Sequence, residues 1–208
     1  MLKLFRTLFF VCAGLLVCAT QAKAESIGPD CNTCQGSIYS LDFTKVDGTF
    51  DTYLVTLTID ASTYTGDGVR IYEVAVKISS GIDDAELTAA PGGVEYWKLV
   101  SGGISANGCS GSGSGFECSD WKLSSPFGAF LPTTDKLIWQ FTIDISGSVF
   151  DFASTNPDLL PSIKVRYVDE NGKKVGDLVS EKVPEPTTLM LLGVGMSLAA
   201  IRRRRAQR

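Results

Sequence analysis

The sequence predicts an all-β body over residues 25–182, an antiparallel β-sandwich of jelly-roll or immunoglobulin-like type. Three observations carry this. Five runs alternate apolar and polar residues with the two-residue period of a strand. Turn-forming Gly, Asn, Asp and Ser separate the runs. No stretch of the body shows the 3.6-residue period of an amphipathic helix. To this body the two ends add a signal-peptide helix and a short transmembrane helix.

At the start, Lys3 and Arg6 place positive charge ahead of an almost wholly apolar run over residues 8–19. Gln21-Ala22-Lys23-Ala24 follows, with Ala22 and Ala24 at the two positions that a signal peptidase reads. Residues 1–24 therefore read as a secretory signal peptide, with cleavage expected after Ala24. The run is too short for a comfortable anchor, since a spanning helix needs about 20 apolar residues. Cys18 does not suggest a lipoprotein signal, because Val17 precedes it where a small residue is wanted.

The strands follow in order. Tyr39, Leu41 and Phe43 share one face of the first run. In the second, Val55, Leu57 and Ile59 lie opposite Thr56 and Thr58. The third places Tyr72, Val74, Val76 and Ile78 together, with Glu73 and Lys77 behind. A fourth puts Leu137, Trp139, Phe141, Ile143 and Ile145 opposite Gln140, Thr142 and Asp144. Ile163, Val165 and Tyr167 form the last face. One apolar and one polar side is the pattern of an antiparallel sheet with one face buried. Asp169-Glu170-Asn171-Gly172-Lys173 is expected to close a hairpin, because Asn-Gly tolerates positive φ at both central residues. Val46-Asp47-Gly48-Thr49 is expected to join the first two strands in the same way.

The body's 158 residues are one domain's worth. A chain of that size buries roughly 70% of its unfolded surface, enough for a real core. The whole chain has a net charge of −4, but the body carries 11 Lys+Arg against 22 Asp+Glu, a net −11. An acidic body excludes nucleic acid as a partner, which demands a basic footprint. It fits an exported protein, or one that meets cations.

After signal removal four cysteines remain: Cys31, Cys34, Cys109 and Cys118. An even count in an exported chain predicts disulfides, and the local pairs Cys31–Cys34 and Cys109–Cys118 are favoured. The second would cross-link a glycine-rich loop of about ten residues, a stabilisation of roughly 2.5–3 kcal/mol. A redox role for Cys31-Asn-Thr-Cys34 would need a following helix, and none is predicted. Zinc by all four is disfavoured, because eight residues separate Cys109 from Cys118 where knuckle ligands have two to four.

No histidine occurs anywhere, which removes Ser-His-Asp and Cys-His catalysis. A two-carboxylate glycosidase remains formally open among so many acids, yet no pair stands out. Asp83-Asp84-Ala85-Glu86 offers oxygens to calcium but lacks the EF-hand spacing, so it reads as solvated surface. Gly111, Gly113 and Gly115 lack the strand-to-helix context of a phosphate loop and read as flexible. Trp139 falls on a core face. Trp97, beside Tyr96, and Trp121 are either core or a stacking platform for sugar. No catalytic residue, metal ligand or cofactor is assigned.

The end of the chain is distinctive. Val183-Pro184-Glu185-Pro186 precedes 15 uncharged residues, 187–201, and then Arg202, Arg203, Arg204 and Arg205. As a helix the run reaches about 22 Å, short for a hydrocarbon core of about 30 Å. A short span still inserts by thinning the bilayer or oligomerising. The arginines would hold their end in the cytoplasm and place the body on the far side.

Residues 183–208, with Pro184-Glu185-Pro186, Leu191-Leu192-Gly193-Val194-Gly195 and the arginine block, resemble the PEP-CTERM sorting signal. The resemblance implies that Pro184, Glu185 and Pro186 are the recognition motif. It implies an exosortase-type enzyme as partner, a transient membrane intermediate and removal of the tail. It implies nothing about the body. The expected function is therefore an exported surface or extracellular-matrix protein, biofilm material included, with a structural or adhesive role and no enzymatic activity. The alternatives are a carbohydrate-binding module for exopolysaccharide and, behind it, a carboxylate-dependent glycoside hydrolase.

Overall fold

The computed structural model describes residues 25–31, 33–111, 113–122, 129–130, 135–175 and 179–182. The signal peptide with Ala22 and Ala24 lies outside the described residues. So does the tail with Pro184, Glu185, Pro186 and Arg202 to Arg205, on which a transmembrane helix was expected. Among the described residues no helix is long and apolar enough to cross a membrane.

The described chain is all-β. In order it forms β1 (Glu25–Ile27), β2 (Ile38–Lys45), β3 (Thr52–Asp60), β4 (Arg70–Lys77), β5 (Ile82–Ala89), β6 (Trp97–Ser101) and β7 (Gly103–Ser105). Then come β8 (Gly108–Gly111), β9 (Phe116–Trp121), β10 (Ala129–Phe130), β11 (Leu137–Ile145), β12 (Ser162–Val168) and β13 (Val179–Lys182). One sheet has the order β1-β2-β3-β11-β5; the other has β13-β12-β4-β9-β6, with β10 also on β4. β7 and β8 pair separately. Every one of these pairings is antiparallel.

The period-two runs explain the core. Val55, Leu57 and Ile59 of β3 are fully buried, as are Trp139, Phe141 and Ile143 of its neighbour β11. They share one apolar cluster with Val74 and Val76 of β4 and Ile163 and Val165 of β12, so the two sheets face each other across it. Trp97 of β6 meets Trp139 of β11 edge-on, with ring centroids 5.4 Å apart. Full burial of each such side chain is worth about 1.5–3 kcal/mol.

The structure departs from strict alternation where β4 pairs with β12. Arg166 faces Glu73, but Tyr167 faces Ile71, so Tyr72 is the extra residue of a bulge. Ile71 therefore enters the core, and Tyr72, expected there, is half-buried. The turn at Asp169 also differs from the expectation. Gly172 alone carries positive φ, 76°, and Asn171 does not. The Gly172 amide donates to the Asp169 carbonyl and the Asp169 amide to the Lys173 carbonyl, a three-residue loop with glycine at the left-handed position. The stretch expected as a flexible glycine loop is shorter than the spacing implied, because β8 reaches Gly111 and β9 starts at Phe116.

Candidate functional site

The outer faces of the two sheets differ in kind. On the six-stranded sheet, one rung carries Arg166, Glu73, Asp120 and Lys98 side by side on β12, β4, β9 and β6. Like charges directly opposite repel, so Glu73 beside Asp120 needs the cations that flank them. The β7–β8 hairpin lies over this rung. Arg166 Nη1 stands 2.7 Å from Glu73 Oε2. The Arg166 Nη2 group donates to the Ser105 carbonyl, and the Cys109 amide donates to Glu73 Oε1 at 3.3 Å. Gly108, at φ 107°, passes so close that a Cβ would sit 2.7 Å from Glu73 Oε1. The Cys109–Cys118 pair, with Cα atoms 5.6 Å apart, ties the hairpin to β9. Ala75, Ile104, Cys109 and Cys118 form a small apolar cluster beneath it.

Burial pushes the Glu73 carboxyl above the usual carboxylate range, against the opposing pull of Arg166. Asp120 is raised for the same reason, with Lys98 and Arg166 opposing. The two carboxylates and Cys109 Sγ lie within 4.8 Å of one another. That spacing invites a metal or a pair of catalytic acids, and the chemistry of the surroundings favours neither. A disulfide sulfur offers no thiolate, and a guanidinium already holds Glu73. The hairpin leaves the Glu73 side chain only 4% exposed, so a sugar ring has no access to it. The cluster is a clamp.

A second acid, Glu117, points inward from β9, beside Val76 and Ser101 in the registers of β4 and β6. It is 2% exposed, and burial raises its carboxyl, with a hydrogen bond from Ser101 opposing.

The outer face of the five-stranded sheet is open. Its registers align Ser40, Thr58 and Ile138; then Asp42, Thr56 and Gln140; then Thr44, Leu54, Thr142 and Glu86. Gln140 Nε2 donates to Thr56 Oγ1 at 3.4 Å. Short hydroxyls and an amide make this a flat polar array. Asp84 and Glu86 lie on the same face of β5, with Asp84 opposite Asp144; Ile145 faces Ile82, so Asp83 is the extra residue of a bulge and is exposed.

The tryptophans are not a sugar platform. Trp97, Trp121 and Trp139 are 2%, 8% and 0% exposed. Trp97 Nε1 donates to the Pro91 carbonyl, and its ring packs edge-on against Trp121. Cys31 and Cys34 also stand at disulfide distance, with Cα atoms 5.1 Å apart. Their loop packs against Tyr39, whose hydroxyl donates to the Cys34 carbonyl.

Sequence reasoning put Glu73 on the wet side and did not single out Arg166. The signal that this side is covered was Ala75, a small apolar residue where β4 alternation calls for a polar one.

Of the comparisons with known proteins, the family model described as the PEP-CTERM protein-sorting motif matches residues 182–205. No curated protein matches the chain. The motif marks an exported protein, handled at the membrane by an exosortase-type sorting enzyme and directed to the cell surface.

Proposed function

We propose that the body is a structural or adhesive module of the cell surface or extracellular matrix, working by contact and without enzymatic activity. The observation that supports this best is the contrast between the two outer faces. One is sealed by a cross-linked hairpin over the close carboxylates Glu73 and Asp120. The other is a broad array rich in Thr, Ser and Gln side chains. Such hydroxyls and amides serve as donors and acceptors toward polysaccharide hydroxyls or a neighbouring copy. Individually weak contacts suffice on a crowded surface, because linked sites gain from effective concentration. The strand orders support a jelly-roll connectivity within the sandwich: long-range pairs β3–β11 and β4–β12 bring distant hairpins together. The tail places the protein in the membrane transiently, with removal near Pro184, Glu185 and Pro186.

The test uses mature exported protein and the host's own exopolysaccharide. Sedimentation with polymer, or self-association at high concentration, is expected to fall at least tenfold when Thr56 and Thr142 are both replaced by Lys. Polymer size and reducing ends are followed in parallel. Shortened chains, lost on changing one Asp or Glu to its amide, would make the protein a glycosidase instead.

A further inference from the structure

One end of the body carries both the exit of the sorting tail and the most exposed apolar side chains. β13 stops at Lys182, opposite Ser162 at the start of β12. Ser162 faces Lys77 at the end of β4, and Lys77 faces Phe116 at the start of β9. The five-stranded sheet contributes the turn between β2 and β3 to the same end, where the Ile145 amide donates to the Asp51 carbonyl at 3.0 Å. The connection from β11 to β12 binds the two sheet ends together. Within it the Phe150 amide donates to the Ile78 carbonyl at 2.7 Å, and Phe152 stacks on Phe43 with centroids 4.9 Å apart. From this end Phe50 projects from the turn, 90% exposed, and Leu159 stands 47% exposed.

Distance fixes what this end meets. Four residues lie between Lys182 and Thr187, the first of the uncharged run, so five Cα-to-Cα steps join the two. Fully extended, they span at most about 18 Å. The nine-residue β3 alone is about 30 Å long, so the opposite end stands well clear of any surface the tail enters.

We propose that Phe50 and Leu159 insert into the headgroup region of the bilayer while the tail is still attached, seating the body on the membrane end-on. The proposal rests on the reading that residues 187–201 enter the bilayer. The attraction is apolar. Among the side chains whose exposure is described, exposed Asp47, Asp51, Asp151 and Asp158 outnumber the exposed Lys45 at this end, so anionic lipid does not strengthen it. A lipid surface is favoured over the sorting enzyme because the short tether imposes proximity to lipid whether or not the enzyme is present.

The full precursor is reconstituted in phosphatidylcholine vesicles whose acyl chains are partly brominated, a quencher of tryptophan fluorescence. Three variants are compared: Phe50→Trp, Leu159→Trp and, at the far end, Val94→Trp. The native tryptophans are buried and form a common background. Resistance to alkaline carbonate scores insertion separately. Added quenching for Phe50→Trp and Leu159→Trp at least about twofold above that for Val94→Trp is expected, since interfacial side chains sit about 5–10 Å into the headgroup boundary. Equal quenching at both ends of an inserted precursor overturns the seating. Quenching that appears only after the sorting enzyme is added assigns the end to the enzyme. A precursor that carbonate extracts removes the tail reading, and the seating with it.

Discussion

Tyr39 of β2 and Tyr167 of β12 hydrogen-bond hydroxyl to hydroxyl, joining the two sheets through a polar contact inside an apolar core. Tyr64 stacks on Tyr167 with ring centroids 4.7 Å apart, and the Gly68 amide donates to the Tyr64 hydroxyl at 3.0 Å.

This pair predicts alkaline unfolding. Burial raises the Tyr39 phenol to about 12, with hydrogen bonds from Tyr167 and Ser37 opposing. Burial, followed by Tyr39, also raises Tyr167 well above the usual phenol range. An unfolded tyrosine titrates near pH 10, so above that pH the folded state binds more protons than the unfolded one. Stability is therefore complete below about pH 10 and is lost as pH climbs toward the folded values. Tyrosinate absorbance and circular dichroism should change together in that window, in one cooperative step. Independent titration of every tyrosine with the sheet signal intact would contradict this.

The clamp predicts a large asymmetry between single and double variants. Arg166→Ala leaves Glu73 buried without its partner and should cost about 3–5 kcal/mol in urea unfolding. Replacing both, Glu73→Gln with Arg166→Met, removes the stranded charge and should recover most of that loss. Additive losses in the double variant would mean that the pair is not coupled.

Glu117 predicts a gain of stability. Its folded pKa is raised by burial, so the proton it retains favours folding at low pH, and that contribution fades as pH rises through the folded value. Glu117→Gln removes the buried charge while keeping size and a partner for Ser101. Its Tm should exceed wild type at neutral pH and converge with it in mild acid. A lower Tm at neutral pH would show that the carboxylate is needed ionised.

The two disulfides should differ in access. Cys31 is half-buried, whereas Cys109 and Cys118 are both buried under the hairpin. A thiol reductant under native conditions should open Cys31–Cys34 first, as timed alkylation and peptide mapping will read. Four free thiols in the untreated exported protein would refute both bonds.

Processing at the two ends is checked by mass. Exported protein should begin at Glu25 and lack Arg208. Exchanging Arg202, Arg203, Arg204 and Arg205 for Glu should disturb membrane orientation, because acidic residues supply no positive-inside signal. Surface protein that still ends in Arg208 would exclude cleavage.

The strand faces of β3, β11 and β12 were legible because each has one buried side and period two is then enforced by packing. Val55, Leu57, Ile59, Trp139, Phe141, Ile143, Ile163 and Val165 all fall where alternation puts them. The clamp was not legible. Glu73, Asp120 and Arg166 are scattered along the sequence, and only sheet registers between distant strands place them on one rung. The bulge at Tyr72 was hidden for the same reason, since one extra residue is visible only against its partner strand. The sorting motif was fully legible, being local and linear.

The long edge strand β5 has a consequence for how copies crowd together. Strand edges invite pairing between molecules, and β5 presents Asp83, Asp84 and Glu86, all charged alike, along eight residues of edge. A second β5 approaching that edge would meet its own charge. The opposite edge of the same sheet is β1, only three residues long. Growth of this sheet by strand addition is therefore blunted at both of its margins, by like charge at one and by shortness at the other.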